Sequence, residues 1–331
     1  MNFLARLIVV FLSAVVIAAE GPPVAPQSPK VPQGIPIIWR DPGAIGSKDL
    51  YWGIGRSDRA PQPPFVFVEE DAGGRNAKVN IRDARGMIWN VKFSNSHENE
   101  VHAEIAASRL TWALGYLVEE SYYVAEGRIE GVGKLRQAAS SIAPDGTFRS
   151  ARFEPRAPEV VRTGQHWSFE KNPFLGSKEL AGLKILTTLL NNWDIKTSNT
   201  AILQVPTENG RVEEWHLFSD LGATFGRMDQ RGLFAQRNKW NLADYEDQKF
   251  IDGVRNGRLN LHHRGDPPID SVSLGHARWF AELATQLTAD QIRQAFKAAG
   301  ASAPEIEGFS ARVMAKIDEL RSAVKAPHQQ N

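Results

Sequence analysis

Cysteine is absent from all 331 residues. That excludes disulfides, thiolate chemistry and lipid attachment through an N-terminal cysteine, so the fold must stand on its core alone. Charge of one sign is also missing: 39 Lys and Arg face 38 Asp and Glu, for a formal net charge of +1. Such a balance argues against a generic nucleic-acid or anionic-membrane binder and leaves only local patches open. No Gly-x-Ser-x-Gly elbow and no GKS or GKT phosphate loop occurs, which removes two common routes to hydrolase or nucleotide chemistry. No low-complexity repeat occurs, and no apolar run reaches the roughly 20 residues of a membrane span.

The longest apolar run is Leu7–Ala19, 13 residues broken only by Ser13, preceded by Arg6 and ending in Ile17-Ala18-Ala19. A positive start, a short apolar stretch and small residues at its end make residues 1–19 a secretory signal, so export to the periplasm or medium is expected. An uncleaved N-terminal anchor is the alternative. Removing this segment takes away Arg6 and no acid, bringing the chain to near neutrality. Gly21–Pro36 then carries Pro22, Pro23, Pro26, Pro29, Pro32 and Pro36, which favours extended conformations. Residues 20–64 are expected as a Pro/Gly-rich arm and linker. Within them, Tyr51-Trp52-Gly53-Ile54-Gly55 lacks the preceding strand that a phosphate-binding glycine loop requires.

From Phe65 onward the pattern predicts strands. Phe65–Glu70, Lys78–Asp83 and Met87–Phe93 are separated by a turn over Asp71–Asn76 containing Gly73-Gly74, and by Ala84-Arg85-Gly86. In the third strand Met87, Trp89, Val91 and Phe93 share one face, and Ile88, Asn90 and Lys92 the other. A helix follows over Glu98–Gly115, stopped by the glycine. Its apolar residues fall on two roughly opposite faces with Glu104 between them, so Glu104 is expected to be shielded from water. A shielded carboxylate wants a cation, and Lys92 is the natural one. Glu98 or Glu100 could meet the lysine instead.

Tyr116–Glu126 and Thr147–Phe153 read as further strands, and Ser177–Asn192 as a helix with Leu180, Leu183, Leu186 and Leu190 at helical spacing. That helix runs into a polar elbow with Asp194, Lys196 and Asn199 spaced D-x-K-x-x-N. A hairpin turn at Thr207-Glu208-Asn209-Gly210 and a strand over Glu213–Ser219 lead to Asp220-Leu221-Gly222. Helices are expected over Leu274–Leu287, Thr288–Ala299 and Ser302–Val324. A carboxylate, an ammonium, an amide oxygen and a second carboxylate form a set suited to phosphoryl transfer. The first can accept a hydroxyl proton, the second can neutralise a phosphate, and the last two can hold Mg²⁺.

These residues, in this order, resemble the protein-kinase superfamily, whose catalytic loop ends D-x-K-x-x-N and whose metal loop reads D-F-G. The resemblance implies an α+β, two-lobed fold: an N-lobe of antiparallel sheet plus helix over residues 65–156, a mainly helical C-lobe over 157–325, and a tail over 326–331. By the same resemblance, Gly73 and Gly74 would cover the nucleotide phosphates, and Lys92, held by Glu104, would contact the α- and β-phosphates. Asn199 and Asp220 would hold Mg²⁺ (Mn²⁺ being a substitute), Asp194 would take the acceptor proton and Lys196 would steady the γ-phosphate. The interlobe hinge would fall near Glu154–Arg156. Asn192-Trp193 stand where kinases have His-Arg, no Ala-Pro-Glu follows Asp220, and Asn90 stands where a small apolar residue usually faces adenine. These departures look more like the atypical and lipid-kinase-like branches. The expectation is an ATP-dependent phosphotransferase acting on a hydroxyl acceptor of unspecified type, without nucleic acid and without a membrane span after signal cleavage. An inactive kinase-shaped scaffold and nucleotidyl transfer on the same fold are the alternatives. His97 and His102 are spaced wrongly for a zinc pair on one helix face, and His262-His263 with Asp266 are expected in a polar surface loop.

Overall fold

The computed structural model describes residues 34–73, 76–94, 99–227, 237–269 and 271–325. The signal-like segment, the first proline-rich residues, Gly74, His97, Glu98 and the tail lie outside them.

The chain is mixed α+β. A short strand β1 (Ile35–Ile37) is followed by β2 (Phe65–Glu70), β3 (Lys78–Arg82), β4 (Ile88–Phe93), helix α1 (Glu100–Ala113), β5 (Tyr122–Glu130) and β6 (Thr147–Pro155). Strands β2 to β6 close into a barrel in the order β2-β3-β4-β6-β5. The sheet expected as antiparallel is so except at one seam, where β2 and β5 pair parallel through Phe65↔Ile129 and Val66↔Glu130. That seam joins two edges that would otherwise present open backbone groups. Trp89, Val91 and Phe93 of β4 point into the barrel with Phe65, Phe148 and Phe153. The other face of β4 carries Asn90 and Lys92.

After a two-residue strand β7 (Val161–Arg162) come α2 (Lys178–Leu189), β8 (Thr200–Pro206), β9 (Val212–Phe218), α3 (Leu242–Asp247), the strands β10 (Ile251–Arg255), β11 (Arg258–Leu261) and β12 (Val272–Ser273), and α4 (Leu274–Ala284), α5 (Ala289–Ala298) and α6 (Ala303–Lys325). Helix α2 starts where Ser177 accepts the Leu180 N–H at 3.1 Å, and α5 opens on a capping box between Thr288 and Gln291. Strands β1, β9, β8 and β7 form a second sheet in that order. The helices share one large core with α1, in which Phe225, Trp240, Tyr245, Phe296 and Phe309 form an aromatic cluster. Among the described residues no helix is long and apolar enough to cross a membrane.

The stretch read as an arm is packed from Gly34 onward. Ile38, Ile45 and Leu50 are buried in the helical core, and the Gln291 amide donates to the Ile45 and Lys48 carbonyls at 2.6 and 2.9 Å. Strand β10, strand β11 and helix α3 occupy a region that reads as merely polar in sequence.

Candidate active site

Two turns of the chain bring the polar residues together. Helix α2 ends at Leu189, and Asn191 adopts a left-handed backbone (φ 54°) that bends the chain into the elbow 191–199. The β8–β9 hairpin then closes the sequence gap to Asp220: Thr200 pairs with Phe218, and the Ser219 N–H donates to the Asn199 carbonyl at 2.9 Å. Asn199 and Asp220 therefore stand on adjacent strand ends.

Lys92, Glu104, Gly73, Asp194, Lys196, Asn199 and Asp220 all line one cavity of about 870 Å³ between the barrel and the elbow. Gly74, expected beside Gly73, lies outside the described residues. The Asp71 carboxylate accepts from the Gly73 N–H at 3.0 Å and from the Asn90 amide at 2.9 Å, tying the glycine turn to β4. Asn90, out of place for an adenine contact, is accounted for as that tie.

Lys92 is more crowded than a single ion pair. Its ammonium meets Glu104 at 3.1 Å and also meets Glu100 one turn earlier on α1. Glu104 divides its two oxygens between Lys92 and Arg152, and Arg152 meets Glu154 at 2.6 Å. Glu100 in turn accepts from Lys239 and, at 2.7 Å, from the Asn76 amide. Burial alone would lower the Lys92 ammonium, but Glu104, Asp220 and Glu100 outweigh it and raise it above its usual range. Burial also opposes ionisation of Glu100, yet Lys92 and Lys239 hold that carboxyl down to about 2. Burial pushes the Glu104 carboxyl up, against Arg152 and Lys92.

Lys78, Lys92 and Arg152 lie directly opposite one another across β3, β4 and β6. Residues paired this way share a sheet face, and like charges so placed repel. The row is tolerated because Asp71, at 3.3 Å from Lys78, and the glutamates just named stand around it. A row of cations on the wall of a cavity is a surface for an anion with several oxygens.

On the opposite wall the Asp194 carboxylate meets the Lys196 ammonium at 2.8 Å, an exposed pair of small energetic weight. The Asn199 amide N–H donates to the Asp194 carbonyl at 2.8 Å, which leaves its side-chain oxygen as the free ligand atom. Asp220 accepts the Gly222 N–H on one oxygen at 2.9 Å, leaving the other. Glu100, Glu104 and Asp220 can each place an oxygen within 4.8 Å of the others. These hard oxygens fit Mg²⁺ or Mn²⁺ by donor type.

A second cavity of about 480 Å³ adjoins the first and shares Glu119, Glu154, Arg156 and Arg162 with it; Val118, Pro155, Leu203 and Val205 make it apolar. In its wall, burial and the neighbouring Glu154 charge push the Glu119 carboxyl up to about 7, against Arg162 and Arg152. Sequence reasoning named Glu100 only as an alternative partner of Lys92, which it meets beside Glu104, and did not single out Lys78, Arg152, Glu119 or Lys239. The alternation in β3 carried a signal for Lys78; Arg152 and Lys239 had none.

His263 is buried, in contrast to the surface position expected for its loop. Its ring and that of His262 turn to different partners, Asn192 and Asp252, so they form no metal pair.

No family model matches the sequence, and no curated protein does. Among solved structures the chain is similar to the Helicobacter pylori proinflammatory kinase CtkA, with 12% identity and a TM-score of 0.45, over 78% of this chain and 96% of that one.

Proposed function

We propose that this protein is a two-lobed, kinase-like phosphotransferase, with residues 65–156 and 157–325 as lobes and Mg²⁺-ATP bound between them. The observation that carries this reading is the convergence on one cavity of the Lys92–Glu104 pair, the Asp194-x-Lys196-x-x-Asn199 elbow and Asp220. The cation row suits the phosphates, and the adjoining apolar slot suits a nucleobase.

A bound Mg²⁺ would neutralise charge on the β- and γ-phosphates; Asn199 and Asp220 would hold it. Lys92, fixed by Glu104, would bind the α- and β-phosphates. Asp194 would accept the acceptor hydroxyl's proton on the oxygen that Lys196 leaves open. Lys196, exposed and short-tethered to Asp194, can turn its ammonium toward the γ-phosphate. Positioning and charge neutralisation would supply most of the rate. From the signal-like character of Met1–Ala19 we further propose an exported protein, whose nucleotide would have to be supplied locally.

The scaffold alternative draws on one observation: the Lys92 ammonium is paired with two carboxylates, Glu100 and Glu104, which a phosphate would have to compete with. Calorimetry decides between them. Mg²⁺ with a non-hydrolysable ATP analogue is expected to bind the wild type, and Asp220→Ala to lose the Mg²⁺-dependent part while its melting temperature without ligand stays unchanged. No heat of binding with Mg²⁺ or Mn²⁺ would hand the protein to the scaffold reading.

A further inference from the structure

The two residues before Asp194 are Asn192 and Trp193. Their carbonyls are held by the segment after β11. His263 is only 4% exposed, and its Nδ1 accepts the Gly265 N–H at 3.2 Å. That leaves the ring proton on Nε2, which donates to the Asn192 carbonyl at 2.9 Å. One residue on, the Asp266 N–H donates to the Trp193 carbonyl at 3.2 Å. The Asn192 side-chain oxygen then accepts the Asp194 N–H at 3.3 Å. Gly265 is required by this closeness, since a Cβ there would overlap the imidazole and stand 2.9 Å from the Trp193 carbonyl oxygen. Three consecutive residues, ending at Asp194, are thus held by hydrogen bonds, two of them from a segment about 70 residues downstream in sequence.

We infer that His263 is a positioning residue for phosphoryl transfer: with its proton on Nε2 it fixes the Asn192 carbonyl and so the aim of the Asp194 carboxylate. This rests on the phosphotransferase reading, in which Asp194 receives the acceptor's proton. His263 is not among the residues that line the cavity, so its contribution belongs to turnover and not to binding. A buried imidazole with both nitrogens engaged is a costly way to fill space, and an apolar side chain would serve packing alone. Burial, with the charges of Arg264 and His262 from its own loop, keeps the imidazole down to about 4 against the pull of the Asn192 carbonyl, which raises it, so the ring is neutral near pH 7 with its one proton on Nε2.

The test compares three substitutions in the full-length mature protein. His263→Ala is expected to lower kcat roughly 10- to 100-fold, the scale of a small misplacement of a reacting group. The affinity for Mg²⁺-ATP is expected to stay at the wild-type value. Glutamine can place its amide N–H where Nε2–H stood, and asparagine cannot reach, so His263→Gln should recover most of the turnover and His263→Asn should not. Equal kcat in the wild type and His263→Ala, or equal rescue by Gln and Asn, overturns the assignment. Hydrogen exchange over residues 191–199 keeps the two readings apart. If the wild type transfers no phosphate, the phosphotransferase reading fails. Exchange then still judges the brace: faster exchange in His263→Ala supports it, and unchanged exchange removes it.

Discussion

Glu119 illustrates how a single side chain in the site can be read through its proton. The carboxyl ordinarily titrates at 4.5 and sits at about 7 in the folded chain, because burial and Glu154 outweigh Arg162 and Arg152. The native state therefore holds this proton where the unfolded chain has lost it. The stability it contributes is full below 4.5 and is lost as pH rises toward 7. Glu119→Gln should thus gain on the wild type as pH rises through that window, by on the order of 3 kcal/mol at most. Urea unfolding of both proteins at an acid and an alkaline pH checks this, and a gap that narrows with pH would reverse the assignment. Other residues of the cavity differ in how plainly the sequence displayed them. Lys92 and Glu104 were legible because strand alternation and helix faces are periodic. Arg152 and Glu154 were not, because Ser150 takes a left-handed backbone (φ 51°) that breaks the alternation of β6. Phe148, Ala151 and Phe153 consequently all face the barrel, and the two charged residues face the cavity. A non-glycine residue at positive φ leaves no mark in sequence.

Helix α2 delivers the elbow, and its placement depends on one close approach. At Gly182 a Cβ would overlap the Tyr116 hydroxyl and stand 2.8 Å from the rings of Phe280 and Trp279. Glycine inside a helix normally costs about 1 kcal/mol relative to alanine. Here the added methyl must push apart α2 and α4, and overpacking of that kind costs about 1–3 kcal/mol. Gly182→Ala is expected to destabilise the protein in urea; a stabilised variant would show that the helices can part freely. The helices α2, α5 and α6 were legible from apolar spacing and caps. The closing seam of the barrel was not, because the parallel pairing of Phe65 with Ile129 joins segments whose own patterns fit any neighbour. Strands β10 and β11 and helix α3 escaped notice because they are short and their apolar residues, such as Tyr245, Phe250 and Leu259, are spread among polar ones. Lys316, fully buried on α6, donates to the Leu189 carbonyl at 3.0 Å and to the Asn191 side chain at 2.7 Å. Nothing in the charged-looking pattern of α6 marks that lysine as the tether of the elbow's first residue.

Among the described residues, a closed barrel and a helical core flank the polar cavity, and the residues from Gly34 to Pro64 belong to that body. That the D-x-K-x-x-N elbow, Lys92 and Asp220 share one cavity was legible because the order of chemical types along the chain is itself informative. The supporting charges and the brace beneath the elbow were not, since they come together only through long-range packing. The central claim is that this cavity transfers a phosphate with Asp194 as the proton acceptor. Its most direct test is single-turnover reaction of the mature protein with Mg²⁺-ATP, with acceptor or with water, measured beside nucleotide affinity in Asp194→Asn and Lys92→Ala. Product analysis for ADP against pyrophosphate separates phosphoryl from nucleotidyl transfer. Asp194→Asn is expected to bind ATP as the wild type does and to turn over roughly 10²–10⁴-fold more slowly, while Lys92→Ala loses affinity as well. Full activity in Asp194→Asn would contradict the account.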